Sequence, residues 1–127
     1  MSGPARFGAL IYAKDLARLS DFYRLVLDMR LLKGNEDLHV LASADAQLLI
    51  HAIPEHIAST FTISTPPVPR EDVALKLFFS VPNMRDAIAT ISRLGGSVWP
   101  EEWRGPGFNV RNAVDPEGNI FQIREFV

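Results

Sequence analysis

Few side chains in this chain of 127 residues could carry chemistry, and what is missing narrows the field first. There is no cysteine, so disulfides, thiolate metal sites, iron–sulfur clusters and cysteine nucleophiles are excluded. No serine stands in a nucleophile-elbow context, and no glycine-rich stretch opens a helix as a phosphate-binding loop would. Gly105-Pro106-Gly107 follows a loop and opens a strand, and so reads as a turn. Proton carriers remain: Tyr12, His51 and Lys76, with Gln122 and Arg124 as further polar groups and Phe78 and Trp103 as aromatic surface. Lys76 is the sharpest of these, because an ammonium flanked by Leu75, Leu77 and Phe78 is costly unless it reaches water or an anion. It either snorkels to a rim or pairs with an internal carboxylate, or it meets a carboxylate or phosphate on a ligand. His51 reads as a strand-end histidine bonded to a carbonyl, or as a ligand contact. His39 and His56 read as surface or rim residues.

The elements that would position these residues repeat. Leu16, Leu19, Tyr23 and Val26 are spaced as one face of a helix capped by Asp15. Shifted by 68 residues, the cap and stripe fall on Asn83, Met84, Ala87, Ile91 and Leu94, in a second helix closed by Gly95-Gly96. A short apolar strand precedes each helix, Ala9–Ala13 and Leu75–Val81, and three strands follow each. In the first half these are Met29–Lys33, Leu38–Leu41 and Gln47–Ala52; in the second, Ser97–Trp99, Phe108–Val114 and Ile120–Arg124. Asp115-Pro116-Glu117-Gly118-Asn119 closes the last hairpin, with Pro116 presetting φ and Gly118 free to take a positive one. The second half carries five extra residues, placed in a loop from Glu101 to Pro106, where Trp103 would serve as a lid or dimer contact, or pack in a core or interface; Trp99 fits edge packing. Residues 54–72, rich in Pro, Ser and Thr, form a linker between modules Arg6–Ile53 and Val73–Val127. By alternation Gly8, Leu10 and Tyr12 share a face, as do Gln47, Leu49 and His51, then Lys76, Phe78 and Ser80, then Ile120, Gln122 and Arg124.

Composition fits one ordinary globular domain, with 47% apolar and 22% charged residues. A net charge of −2 gives no field to attract nucleic acid or an anionic membrane. Met1–Arg6 has no apolar signal core, and no apolar run approaches the roughly eighteen residues of a span. A cytoplasmic protein without nucleic-acid or membrane partners is expected.

The passage Tyr12-Ala13-Lys14-Asp15-Leu16 with Phe22-Tyr23 beyond it, its counterpart Val81-Pro82-Asn83-Met84, and the near-terminal Asp115-Pro116-Glu117-Gly118-Asn119 carry a resemblance. With the duplication, they make the chain similar to the vicinal oxygen chelate superfamily, which includes glyoxalase I, bleomycin-resistance proteins, fosfomycin-modifying enzymes and extradiol dioxygenases. The resemblance implies an α+β fold of two βαβββ modules forming a cup-shaped mixed sheet, and a homodimer. It also implies a divalent metal held by His and Glu on the first and last strands of each module. Those four positions hold Gly8, Leu49, Lys76 and Gln122, and a slip of one residue reaches only Ala9, Ile50, Leu77 and Ile123. No metal and no cofactor are therefore expected. The reading is a metal-free protein that binds a small organic ligand, with Lys76 suited to an anionic one, through Tyr12, His51, Lys76, Phe78, Gln122, Arg124 and Trp103. The alternative is a glyoxalase- or dioxygenase-like enzyme, a lyase, isomerase or oxygenase. A third is a protein whose fold and pairing alone matter, as part of something larger.

Overall fold

The computed structural model describes residues 5–127, which fall into two compact units divided between Thr62 and Ile63. The first holds β1 (Phe7–Ala13), α1 (Leu16–Val26), β2 (Arg30–Gly34), β3 (Leu38–Ala42), β4 (Ala46–Ala52) and α2 (Glu55–Ala58). The second holds β5 (Phe78–Ser80), α3 (Met84–Arg93), β6 (Ser97–Gly105), β7 (Phe108–Val114) and β8 (Ile120–Phe126). Each unit has a four-stranded mixed sheet, ordered β1-β4-β3-β2 in one and β5-β8-β7-β6 in the other. The first strand pairs parallel with the last, and the remaining neighbours are antiparallel. The α+β class and the strand–helix–strand–strand–strand order are as expected. No helix among the described residues is long and apolar enough to cross a membrane.

The two long helices form for the same local reasons. Asp15 Oδ1 accepts from the Arg18 N–H at 3.2 Å, and Asn83 Oδ1 accepts from the Asp86 N–H at 3.0 Å. Leu16, Leu19, Tyr23 and Val26 of α1 are buried, as are Met84, Ala87 and Ile91 of α3. Each stripe covers one sheet face, where Leu41, Leu48 and Ile50 in the first unit and Phe121 and Ile123 in the second are buried. Both helices end in a left-handed residue followed by a bond back across the last turn: Gly95 at φ 95° with Gly96 N–H donating to Ile91 C=O (2.9 Å), and Asp28 at φ 52° with Met29 N–H donating to Arg24 C=O (3.1 Å).

Three expectations need correction. β5 is confined to Phe78–Ser80 rather than running from Leu75. Its pairing begins where the Leu77 carbonyl accepts from Gln122 N–H at 2.9 Å; before that Leu75 is 79% exposed, so extending the ladder would bury nothing. The stretch read as a loop from Glu101 is part of β6, which runs nine residues against five in β2. The additional length is taken up in a bulge between Val98 and Glu102, where Pro100 needs no ladder donor. Both Nε and Nη2 of Arg111 donate to the Trp99 carbonyl there, at 3.0 and 2.8 Å. Finally, the linker is not featureless. It contains α2, whose Ala58 is buried and accepts a hydrogen bond from Lys14 Nζ, and its later part lies on the last hairpin turn. There Arg70 N–H donates to Gly118 C=O at 2.8 Å, and Gly118 has φ 92°. A Cβ on Gly118 would stand 2.5 Å from the Val68 carbonyl oxygen.

Asp28 is a non-glycine residue in the left-handed region, and its carboxylate sits at the negative end of the α1 dipole. Asp28→Gly removes both costs. It should stabilise the fold by about 0.5–1 kcal/mol, read as a higher urea midpoint at unchanged slope.

Candidate functional site

The parallel pairings decide which residues share a surface. Leu10 faces Leu49 and Tyr12 faces His51 across β1 and β4. Phe78 faces Gln122 and Ser80 faces Arg124 across β5 and β8. These are the same registers offset by 68 residues on the first strand and 73 on the last, so the rows read from alternation hold in the first unit and for Phe78, Ser80, Gln122 and Arg124 in the second, while Lys76 lies ahead of β5. They lie on the sheet faces opposite the helices.

In the first unit this face is largely apolar, with Leu10 and Tyr12 exposed and Leu49 half-buried. The rings of Tyr12 and His51 approach to 5.6 Å between centroids. His51 Nδ1 lies 2.8 Å from the Ala52 carbonyl oxygen, so that nitrogen carries the proton and the other remains the free one in a neutral ring. His39 departs from the surface role expected of it. Its Nδ1 is 2.7 Å from Oγ of Ser20, a buried serine of α1, and the pair ties sheet to helix. His56, on α2, is exposed as expected.

The second unit gathers the charge. Arg124 lies across Phe78, its Cζ 3.7 Å from the ring centroid, and 4.8 Å from that of Phe108. Its Nη2 donates to Gln122 Oε1 at 3.3 Å, while its Nε is buried with no hydrogen-bond partner. Lys76 Nζ donates to Oδ1 of the buried Asn112 at 3.5 Å. Asn112 pairs in register with Gln122, so the two cations flank one amide pair. Among the described residues no carboxylate lies within ion-pair reach of either cation, and the internal-carboxylate reading of Lys76 gives way to this amide contact. Trp103 belongs here too, but as a strand residue rather than a loop lid: it pairs with Val110, which pairs with Arg124. Its indole is 47% exposed.

Sequence reasoning thus assigned Lys76, Phe78, Gln122 and Arg124 to one face and Tyr12 and His51 to another, placed Trp103 on a loop instead of in β6, and missed Phe108, Asn112 and Gly105. Phe108 and Asn112 were within reach, since the hairpin folding at Asp115–Asn119 sets Asn112 opposite Gln122 and alternation then adds Val110 and Phe108. Gly105 gave no such signal. It is the register partner of Phe108, and a Cβ there would come within 2.3 Å of the Phe108 ring.

The residues do not suit a divalent metal. Gly8 offers no donor, Leu49 is apolar, Lys76 is a cation, and the Gln122 amide oxygen is turned to the Arg124 guanidinium. Among the described residues no three His, Asp or Glu side chains come together as a metal site.

A family model described as a glyoxalase-like domain matches residues 9–124. No curated protein matches. Among solved structures, the chain is similar to a glyoxalase/bleomycin resistance protein/dioxygenase family enzyme from Burkholderia phytofirmans PsJN, at 15% identity and TM-score 0.71, covering 94% of this chain and 97% of that one. It is similar to a lactoylglutathione lyase from Agrobacterium tumefaciens at 21% identity and TM-score 0.60, covering 98% and 96%. It is also similar to the fosfomycin resistance protein FosX from Mesorhizobium loti at 12% identity and TM-score 0.64, covering 100% and 94%. At these identities the likeness concerns the fold.

Because the Phe108 ring occupies the space above Gly105, Gly105→Ala should cost about 1–3 kcal/mol of stability by forcing the ring aside. Urea unfolding measures it, and an unchanged midpoint would mean that the ring is not held there.

Proposed function

The chain belongs to the glyoxalase-like domain family, and from that premise we propose that it is a metal-free binding protein for a small organic ligand carrying negative charge. One observation carries the reading: where the superfamily it resembles keeps metal-ligating His and Glu, this chain has Gly8, Leu49, Lys76 and Gln122. An ammonium about 4 Å from a divalent ion costs roughly 8 kcal/mol at an effective dielectric near 20. No carboxylate in that set offsets it. The same substitution that expels a cation favours an anion, and Lys76 and Arg124 stand on one face of the second unit with no carboxylate neutralising either. Aromatic side chains around them, Phe78 and Trp103, supply the apolar surface a small organic molecule needs.

The test is elemental analysis after incubation with zinc, nickel, manganese or iron and exhaustive dialysis. The expected result is metal far below one ion per chain. Near-unit occupancy that persists through dialysis and disappears in Gln122→Ala would refute the metal-free reading.

A further inference from the structure

Arg124 is held in an unusual way for a residue with nothing to neutralise it. One wall is Phe78, 3.7 Å from Cζ, and Phe108 closes in at 4.8 Å. Phe108 is itself backed by Phe126, with centroids 6.4 Å apart, and leans over Gly105, which leaves room for its ring. The guanidinium carbon therefore lies close to two rings that reach it from the strands on either side of β8, and hydrogen bonding is left to its N–H groups. Those groups are underused: Nη2 makes one contact of 3.3 Å to a neutral amide, long for a charged donor, and Nε is shut from solvent with no partner. A buried donor left unpaired is a standing cost in the free protein, and a site that receives an acceptor accounts for it. Phe78 is 56% exposed, so this wall of the grip borders solvent, from which an acceptor can approach.

We infer that Arg124, gripped between the rings of Phe78 and Phe108, is the docking point for the carboxylate of a flat aromatic molecule. A carboxylate is planar and meets the guanidinium edge-on with two parallel hydrogen bonds, so it lies in the guanidinium's own plane. A sulfonate or phosphate carries an oxygen out of that plane. The aromatic body follows from the row Arg124, Val110, Trp103 across three adjacent strands. Two strand spacings separate Arg124 from Trp103, about 10 Å. A benzoate-sized ligand held at Arg124 and directed along this row brings its ring toward the exposed indole. This inference rests on the proposed ligand-binding reading and adds the class of ligand and the residue that selects it.

The experiment is an NMR titration of isotope-labelled, chelator-treated protein with benzoate, benzenesulfonate and benzamide at fixed ionic strength, following the Arg124 Nε–H and the Trp103 indole N–H. Benzoate should shift both signals saturably, benzenesulfonate should bind several-fold more weakly, and benzamide should not saturate. Arg124→Gln should weaken benzoate at least about ten-fold. Arg124→Lys keeps the charge but should lose the preference for benzoate over benzenesulfonate. Equal affinity for the two anions, benzoate binding that survives Arg124→Gln, or no shift at the Arg124 signal would each overturn the inference; the last needs no variant to fold. Repeating the titration with zinc separates the two proposals. A benzoate shift at Arg124 that requires zinc refutes the metal-free reading and upholds the docking point, whereas a zinc-independent shift that spares Arg124 refutes the docking point alone.

Discussion

Parallel pairing of the first strand of each unit with its last is the constraint on which the rest of the molecule depends. Two parallel neighbours cannot be joined by a tight turn, so the chain must leave the sheet and return, and the helix does this. The register then sets side-chain parity. With Phe78 opposite Gln122, the residues Ser80, Gln122 and Arg124 share a face, while Phe79, Phe121 and Ile123 turn the other way. A slip of one residue would drive Arg124 into the apolar packing around Ile123 and bring that isoleucine out. Burial of Phe121 and Ile123 against α3 thus fixes the polar face indirectly, by making the alternative register prohibitive.

Within that shared frame the two units have diverged in chemistry. The positions occupied by Leu10 and Leu49 in the first correspond to Phe78 and Gln122 in the second, and Tyr12 and His51 correspond to Ser80 and Arg124. One unit thereby presents an apolar face with a Tyr–His pair, whose imidazole is anchored to a backbone carbonyl. The other presents two cations around an amide pair, with the rings of Phe78 and Phe108 beside Arg124. The divergence reaches the edge strand. The bulge of β6 and its carbonyl, held by the fork of Arg111, lengthen the strand enough to bring Trp103 into the row of Arg124.

The parts legible in the sequence were those written locally. Capping residues, buried stripes and the Asp115–Asn119 turn depend on neighbours a few positions away. The 68-residue and 73-residue offsets carried the strand registers because duplication preserved both pairings. Trp103 was misplaced because a bulge is a relation between two strands, and a Trp-Pro-Glu-Glu stretch looks like a loop until β7 pairs beyond it. The grip on Arg124 was equally hidden. Phe78 and Phe108 reach it from strands on either side of β8, diagonal contacts that no single-strand pattern encodes. The role of Gly105 is more hidden still, since its signal is only the missing side chain beneath a ring on the facing strand.

The central claim is that the positive charge on the second sheet receives the carboxylate of a ligand without a metal ion. Its most direct measurement is a crystal structure of the metal-free protein soaked with 4-bromobenzoate and recorded at the bromine edge. The account predicts a carboxylate about 2.8 Å from the Arg124 guanidinium, with the bromine anomalous peak on the Trp103 side of Val110. A bromine peak remote from Arg124, or a carboxylate bound only through an added metal ion, would contradict it.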